Sequence, residues 1–551
     1  LRKILPDGTV TTVAGQGAAG VWGDESAPLA AELSGPSDVA MGPDDVIYFA
    51  DSGNSRIRKI EQVKSVVTLE EGQYGVPLAT DEILIFGEKL EHLEVRDMTT
   101  GVVTRAFEHN ELGVLSKEYM STGQQVQFEA DAQGRIVTII GVTGEETTLG
   151  YDQEGNLALV QYEDGTTYEF DYFGNGLLRE KLDPGGNEYE YTYDETGRLL
   201  EASDPVGGFF ELSQSIETSV IISNSETAEG NKTSYQDVRD QDGNWTSTIV
   251  DPAGGVTTFA DHEEDWEEEA VLPDGTLVVR RYGVDPKFET RFMSYQAETT
   301  PSGLSRVTQV SRSYDDQQGL VTHSTAVNGK VTTRVFDTLA GQVTTTTPEG
   351  RVGSLQYDLD SGLTLSTEVS TLFPGTITYD DDGNPLEVKR GDRVSTMDYD
   401  QDGRISKITG AMGDEYEFQH NEMGRLMAVF RPDDSTLTYE YDANGLLLSI
   451  TGADGKAHAY TRNPVEEVTT YEAPGGAQTK YQYDLDRSWV GTEFPSGDTA
   501  TAQLDGGLLK KLVMAGELTN YTYAEDGSGR LAQVESPSSV VTQYSYDGHL
   551  K

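Results

Sequence analysis

Short bursts of alternating apolar and polar residues run along most of this chain, and each burst ends in a turn rich in Asp and Gly. The segment YDQDGRISKITGAMGDEYEFQH, from Tyr399 to His420, shows the pattern clearly. Within it, residues 404–409 and 415–419 alternate in the period-two manner of strands with one buried face. Asp402-Gly403 and Gly413-Asp414 supply the residues tight hairpins need, since Gly reaches positive φ without a Cβ clash. The unit is therefore strand, turn, strand, turn. A lone hairpin is marginal in water, so its apolar stripe must be buried by stacking on neighbours.

The unit returns about every 21 residues, the signature of an array. Its marker is a Tyr-Asp pair followed by a Gly turn. The pair occurs at Tyr151-Asp152, as Asp171-Tyr172, and at Tyr193-Asp194, with degenerate forms Ala130-Asp131 and His109-Asn110 upstream. It resumes at Tyr314-Asp315 and runs through Phe336-Asp337, Tyr357-Asp358, Tyr379-Asp380, Tyr399-Asp400, His420-Asn421 and Tyr441-Asp442. After a missing beat it returns at Tyr483-Asp484 and at Tyr546-Asp547.

On these residues the chain resembles the YD (RHS) repeats of bacterial Rhs proteins, insecticidal toxin cocoons and animal teneurins. Copies that fit well are YDETGRLLEASDPVGG from Tyr193, YDDDGNPLEV from Tyr379 and YDANGLLLSITGADG from Tyr441. The resemblance implies an all-β fold in which hairpins wind as one spiralling sheet into a hollow barrel. It covers roughly residue 78 to the C-terminus, with a diverged stretch at about 213–312. Residues 83–109, led by Asp81 and Glu82, resemble the strands by which such shells begin.

The first sixty residues carry another pattern. Gly35-Pro36-Ser37-Asp38-Val39-Ala40, then Val46-Ile47-Tyr48-Phe49-Ala50-Asp51, then Asn54-Ser55-Arg56-Ile57-Arg58-Lys59-Ile60 resemble one blade of an NHL β-propeller. LRKILPDGTVTTVAG before them resembles the end of the preceding blade. One blade cannot close a ring, so the chain is expected to begin inside a domain. The expected organisation is the last blade or blades of a propeller at 1–62, a connector with lead-in strands at 63–110, and a YD-repeat shell at 111–551. Nothing resembles the Asp-Pro-rich core that closes Rhs barrels and precedes their toxins.

Composition narrows the class. Only 36% of residues are apolar and mean hydropathy is −0.48, which suits a thin sheet wetted on both faces. Twenty-eight Tyr against sixteen Phe suit half-buried ladders, with rings stacked across strands and hydroxyls reaching water. Forty basic against 94 acidic residues give a net charge of −54, which repels nucleic acid and anionic lipid. Solubility in a salty habitat accounts for such a surface. With no cysteine there is neither disulfide nor thiolate metal site, which favours a bacterial source. No apolar run is long enough to span a bilayer, so no direct membrane insertion is expected.

Candidate chemistry is sparse. Asp398, Asp400 and Asp402 before Gly403 match the opening of a calcium loop, but Thr409 stands where its bidentate Glu belongs, so turn-building is the better reading. Asp240, Asp242, Asn244 and Asp251 are a weaker set, with Trp245 in the glycine position. The seven His (92, 109, 262, 323, 420, 458, 549) form no metal pair, and no nucleophile elbow, Walker loop or dinucleotide fingerprint is present. The acidic run around Trp266, Glu263-Glu264-Asp265 and 267–269, reads as a solvated loop. Asn231, Asn244 and Asn520 open glycosylation sequons that carry no meaning in a bacterial protein.

The expectation is a non-enzymatic scaffold without cofactor, secreted or at a cell surface. Its repeat Tyr and Asp residues build a wall. The resemblance implies a shell that encapsulates a C-terminal polypeptide such as a toxin. The alternative is a teneurin-like adhesion scaffold whose propeller or shell loops bind a cell-surface protein or glycan. A carbohydrate-active solenoid would need paired carboxylates along a groove.

Overall fold

The computed structural model describes all residues except 5–9, 16–19, 21–30, 42–46, 61–66, 70, 71, 79, 218, 241–244, 263–266, 289, 371 and 549–551. The Trp266 run up to residue 266, Asp242, Asn244 and His549 thus lie outside the described residues. Among those described, the chain is β-strand throughout, with one short 3-10 turn at Ser52–Asn54.

Two small sheets come first. Arg2–Ile4 pairs with Val10–Thr12, and Pro36–Met41, Ile47–Asp51 and Arg56–Ile60 form a three-stranded antiparallel sheet. In the latter, the fully buried Asp51 carboxylate accepts from Ser34 N, Asn54 Nδ2 and Arg58 Nη1, the last at 3.2 Å. A buried charge needs such a partner.

From Val67–Thr68, the sixth strand, to Val541–Gln543, the fiftieth, each strand pairs antiparallel with the next in the chain. These strands make one continuous antiparallel sheet. The diverged stretch stays in this ladder. Its strands simply lengthen, from five or six residues in the regular repeats to nine in Phe209–Glu217 and eleven in Ser305–Asp315, so the turn spacing drifts while the pairing persists.

The wall is thin. The protein exposes 32021 Å², whereas a compact monomer of 60.1 kDa would expose about 19,000 Å². The fully apolar contacts concentrate in two clusters, Val102 with Val321, Phe336, Val343 and Tyr357, and Ile83 with Ile85, Met98 and Phe288. Both join the beginning of the ladder to residues more than 180 positions later, where the sheet returns over its own start.

Candidate functional site: the repeat staple and the seam between coils

Most of the repeat Tyr end a strand at a β-bulge, whereas Tyr314 lies inside an unbroken strand and Tyr546 follows the last one. The register slips between Gly150 and Tyr151, Asp171 and Tyr172, Thr192 and Tyr193, Thr378 and Tyr379, Asp398 and Tyr399, Glu440 and Tyr441, and Gln482 and Tyr483. The bulge re-aims the side chain. Its hydroxyl then donates to the carbonyl that opens the preceding strand: Tyr151 to Ile136, Tyr172 to Leu157, Tyr379 to Thr364, Tyr399 to Pro385, Tyr441 to Leu426, Tyr483 to Val468 and Tyr546 to Leu531, at 2.6–3.1 Å. In every one of these the accepting residue lies opposite the same position of the previous repeat or its stand-in, as Leu157 lies opposite Tyr151 and Thr364 opposite Tyr357. Each of these seven thus satisfies a carbonyl at the bulge of the repeat before. These hydroxyls therefore reach backbone and not water, and ring stacking is a minor use, as in the edge contact of Tyr193 with Phe173.

The repeat Asp builds the turn. Asp152, Asp194, Asp380, Asp400, Asp442 and Asp484 each accept from the backbone N–H four residues on. Asp358 closes a longer turn through Ser361. Asp315 accepts from Gln318 N. Sequence reading missed two members of the series. Arg462 fills the missing beat, donating to Leu447 O in the Tyr position, and Asn463 makes the Asp contact to Glu467 N. Tyr523 donates to Leu509 O with Ala524 behind it. The spacing from Tyr441 pointed to residue 462, but only to a reader looking for any long donor.

Removing one staple costs a predictable amount. Tyr399→Phe is expected to weaken the wall locally by about 1 kcal/mol, since one hydrogen bond to a partly buried carbonyl is lost. Faster amide exchange along Ile405–Thr409 and Pro385–Arg390 measures it; unchanged exchange there would show the hydroxyl to be idle.

The turns also join one coil to the next. Asp164 meets Arg425, Asp183 meets Asn444, and Asp486 takes hydrogen bonds from Thr227 Oγ1, Asn231 Nδ2 and Glu229 N. Asp547 takes them from Thr300 Oγ1, Ser302 Oγ and Ser302 N. The first contact joins the turn after the fifteenth strand to the turn after the thirty-eighth, an offset of 23 strands. The same offset holds for the turns at Asp183 and Asn444, at Thr227 and Asp486, and at Thr300 and Asp547. Successive turns lie on opposite rims of a hairpin ladder. An odd offset therefore sets the upper rim of the first coil against the lower rim of the second.

Two turns at this seam carry a side chain in the left-handed slot that Gly fills in most others: Arg487 and Glu466, with φ of 64° and 70°. Left-handed backbone disfavours side chains, and here each side chain reaches across a turn: Arg487 to Asp204 at 3.1 Å, Glu466 to Asn444 at 3.4 Å. A cavity of about 270 Å³ opens beside Arg487, lined by Tyr189, Tyr191, Phe209 and Phe210.

Where the ladder begins, a buried charge cluster holds it to the returning coil. Asp285 is wholly buried and accepts from Lys287 N, Phe288 N, Tyr314 Oη and Arg312 Nη1. Arg312 also reaches Asp81 at 2.6 Å. Burial opposes the charge on Arg312, and the Asp81 bond with the Asp81 and Asp285 carboxylates outweighs it, holding its pKa above the ordinary value. Tyr314 thus departs from the other repeat tyrosines. Burial first, then Asp285, pushes its pKa well up. Tyr357 is a second departure, its ring in the apolar cluster and its hydroxyl buried with no hydrogen-bond partner.

Titration divides the structure. Desolvation lowers the pKa of His92 and His323, both beside the start of the ladder. Such groups stabilise the fold above 6.5, their ordinary value, and the contribution is lost as pH falls through the lowered one. Hydrogen bonds from Asn156, Thr196 and Ser361 hold Asp152, Asp194 and Asp358 below 3.8, so their contribution is lost only under that pH. Acidification from pH 7 to 5 is therefore expected to lower amide protection, taken relative to intrinsic exchange at each pH, at His92–Asp97 and Leu320–Val327 while leaving protection in the repeat turns unchanged. Uniform loosening would refute this division.

Of the calcium candidates, the Asp400 carboxylate is spent on the N–H groups of Asp402 and Arg404, Asp402 faces the Arg404 guanidinium at 3.4 Å, and Asp398 lies within the strand Arg393–Tyr399. Among the described residues no three His, Cys, Asp or Glu converge as a ligand set. No helix among them is long and apolar enough to cross a membrane.

The bulge, staple and turn recur as one unit, and the Teneurin YD-shell profile matches residues 71–551. The chain belongs to the teneurin YD-shell family. Teneurin-1 of Gallus gallus is 27% identical over 124 residues, which is 22% of this chain and 4% of that protein. The crystal structure of TcdB2-TccC3 without hypervariable C-terminal region aligns at 12% identity and a TM-score of 0.41, covering 89% of this chain and 29% of that one. A Tc holotoxin pore of Photorhabdus luminescens aligns at 14% identity and 0.40, covering 91% and 27%. This YD shell thus spans a small part of its relatives' lengths.

Proposed function

We propose that this YD shell is a non-catalytic container, secreted or displayed at a cell surface, that encloses a polypeptide carried on the C-terminal side of the same chain, such as a toxin. The observation that carries the reading is the excess of exposed surface. A single-layer wall stitched along a hydrogen-bonded seam has a second face that a packed core would not leave. Weak polar contacts on that face hold an unfolded guest without folding it. On this reading residues 1–62 are the end of an NHL-type propeller, supported by the buried Asp51–Arg58 pair in its three-stranded sheet, and 63–110 lead into the shell.

Cryo-electron microscopy of the full-length gene product, with mass spectrometry of its fragments, tests the proposal. Density inside a sealed wall together with a separate C-terminal fragment supports it. An interior filled only by the wall's own side chains overturns it.

A second reading, an adhesion scaffold, is favoured by one observation. Val39 and Ile57 stand exposed on the three-stranded sheet, as residues of a recognition face would. Replacing both with Glu in the full-length protein would abolish attachment to cells if that face recognises a partner, and unchanged attachment would remove the reading.

A further inference from the structure

His323 occupies a place that suits a neutral ring and resists a charged one. In the ladder it lies opposite Arg312 on one side and Arg334 on the other, and directly opposed residues hold their Cβ atoms about 4.5–5.5 Å apart. Among the described residues its buried Nε2 has no hydrogen-bond partner, and its ring leans on Phe336, with centroids 5.2 Å apart. An imidazolium here would bury an N–H that has no acceptor, next to a guanidinium.

The groups that face it are otherwise balanced. Arg312, from the preceding strand, is held by Asp81 at 2.6 Å and by the wholly buried Asp285 at 3.3 Å. Tyr314, on that same strand, donates to Asp285 and keeps its proton far above neutral pH. Arg334, from the following strand, stands exposed over the Phe336 ring, where solvent screens it. Lys287 turns to Asp316 at the surface. Burial first and then Arg312 disfavour a proton on His323, and they outweigh the pull of Asp81 and Asp285.

The residue also lies at a joint. Val321, two positions earlier on the same face, packs in the cluster with Val102, while Asp81 immediately precedes the strand Glu82–Phe86. Met98 donates its N–H to the Asp81 carbonyl at 2.8 Å and buries its side chain with Ile83 and Ile85. Residues 81–102 therefore meet the strands between 305 and 346 through an apolar cluster and an ion pair, and His323 touches both.

We propose that this joint is an acid-released clasp: protonation of His323 parts residues 81–102 from the returning coil, while the strand pairs on either side stay closed. Parting lets water hydrate the imidazolium and screen it from Arg312, and deprotonation closes the clasp again. An open joint restores His323 to its ordinary 6.5, so below that pH each unit of acidification favours opening by at most about tenfold for a single proton. The inference does not depend on what the shell encloses.

Peroxide oxidation of Met98 in the full-length protein tests it. Met98 is 6% exposed, and Met412, at 91%, gives the reference rate under the same conditions. The Met98-to-Met412 ratio is expected to rise about fivefold or more from pH 7 to pH 5. Protein returned to pH 7 before peroxide is added is expected to behave as if never acidified. His323→Phe keeps a flat ring without a titrating nitrogen and is expected to hold the neutral ratio at pH 5. His323→Lys is expected to show a raised ratio already at pH 7. His92, whose ring lies between those of Phe86 and Phe107, stays intact in the Phe variant as the competing titration. A ratio that stays level in acid, a rise that survives His323→Phe, or amide protection lost equally in the turn at 400–404 would each overturn the inference.

Discussion

Arg312→Met is expected to destabilise the start of the ladder by about 3–5 kcal/mol, because it leaves the Asp285 carboxylate buried without its counter-charge. Met keeps much of the packing against Phe292, over whose ring the guanidinium now lies at 4.8 Å, so the loss is one of charge. Asp81, partly exposed at the other end of the same guanidinium, provides the comparison. Asp81→Asn is expected to cost about 1 kcal/mol or less, as a solvent-screened pair does. A stacked ladder loosens region by region, so the readouts are the first denaturation transition and amide exchange in Glu82–Phe86 and Ser305–Asp315. Equal effects of the two substitutions would refute the assignment of Asp285 as the group that needs the charge.

Gly527→Ala is expected to part the seam. Gly403 and Gly527 both adopt left-handed backbone, with φ of 74° and 72°. A Cβ at Gly403 meets nothing within 4 Å, while one at Gly527 falls 2.5 Å from the carbonyl oxygen of Gly254 on the facing coil. Gly403→Ala should therefore cost only the conformational term, about 1–2 kcal/mol. Gly527→Ala adds the displacement of a rigid backbone, a further penalty of about 1–3 kcal/mol. Protease nicking near residues 251–255 and denaturant titration measure the difference. If Gly527→Ala costs no more than Gly403→Ala, the coils do not press together there.

These contrasts explain what could be read from the chain. The repeat was legible because Tyr, Asp and Gly each meet a local need, with a hydroxyl for a carbonyl at a bulge, a carboxylate for two turn amides, and a positive φ. Arg462 escaped the pattern because the staple requires only a donor of sufficient length, whereas the other copies display an aromatic ring. Residues 213–312 looked foreign because longer strands shift the turns, although nothing in the pairing changes. The seam was beyond reach for a different reason. Asp164 and Arg425 are 261 residues apart, and no local pattern records which turn will lie above which. Arg487 and Glu466, side chains in slots that call for glycine, gave no guide either, because Asp434 and Ser539 fill the same slot away from the seam. The cluster at Asp285 left no trace, since Asp81 and Asp285 look like any other turn carboxylate in a chain with 94 acids.

The offset of 23 strands also limits how such a wall can evolve. Gaining or losing a whole hairpin changes the circumference by two and leaves the Tyr-Asp turns of the second coil on the seam. Gaining a single strand would move every later Tyr-Asp turn to the other rim and set two turns of the same kind against each other across the seam. Variation in girth is thereby restricted to duplication or deletion of complete repeats, and a frame of about 21 residues becomes the smallest heritable step by which the wall can be widened.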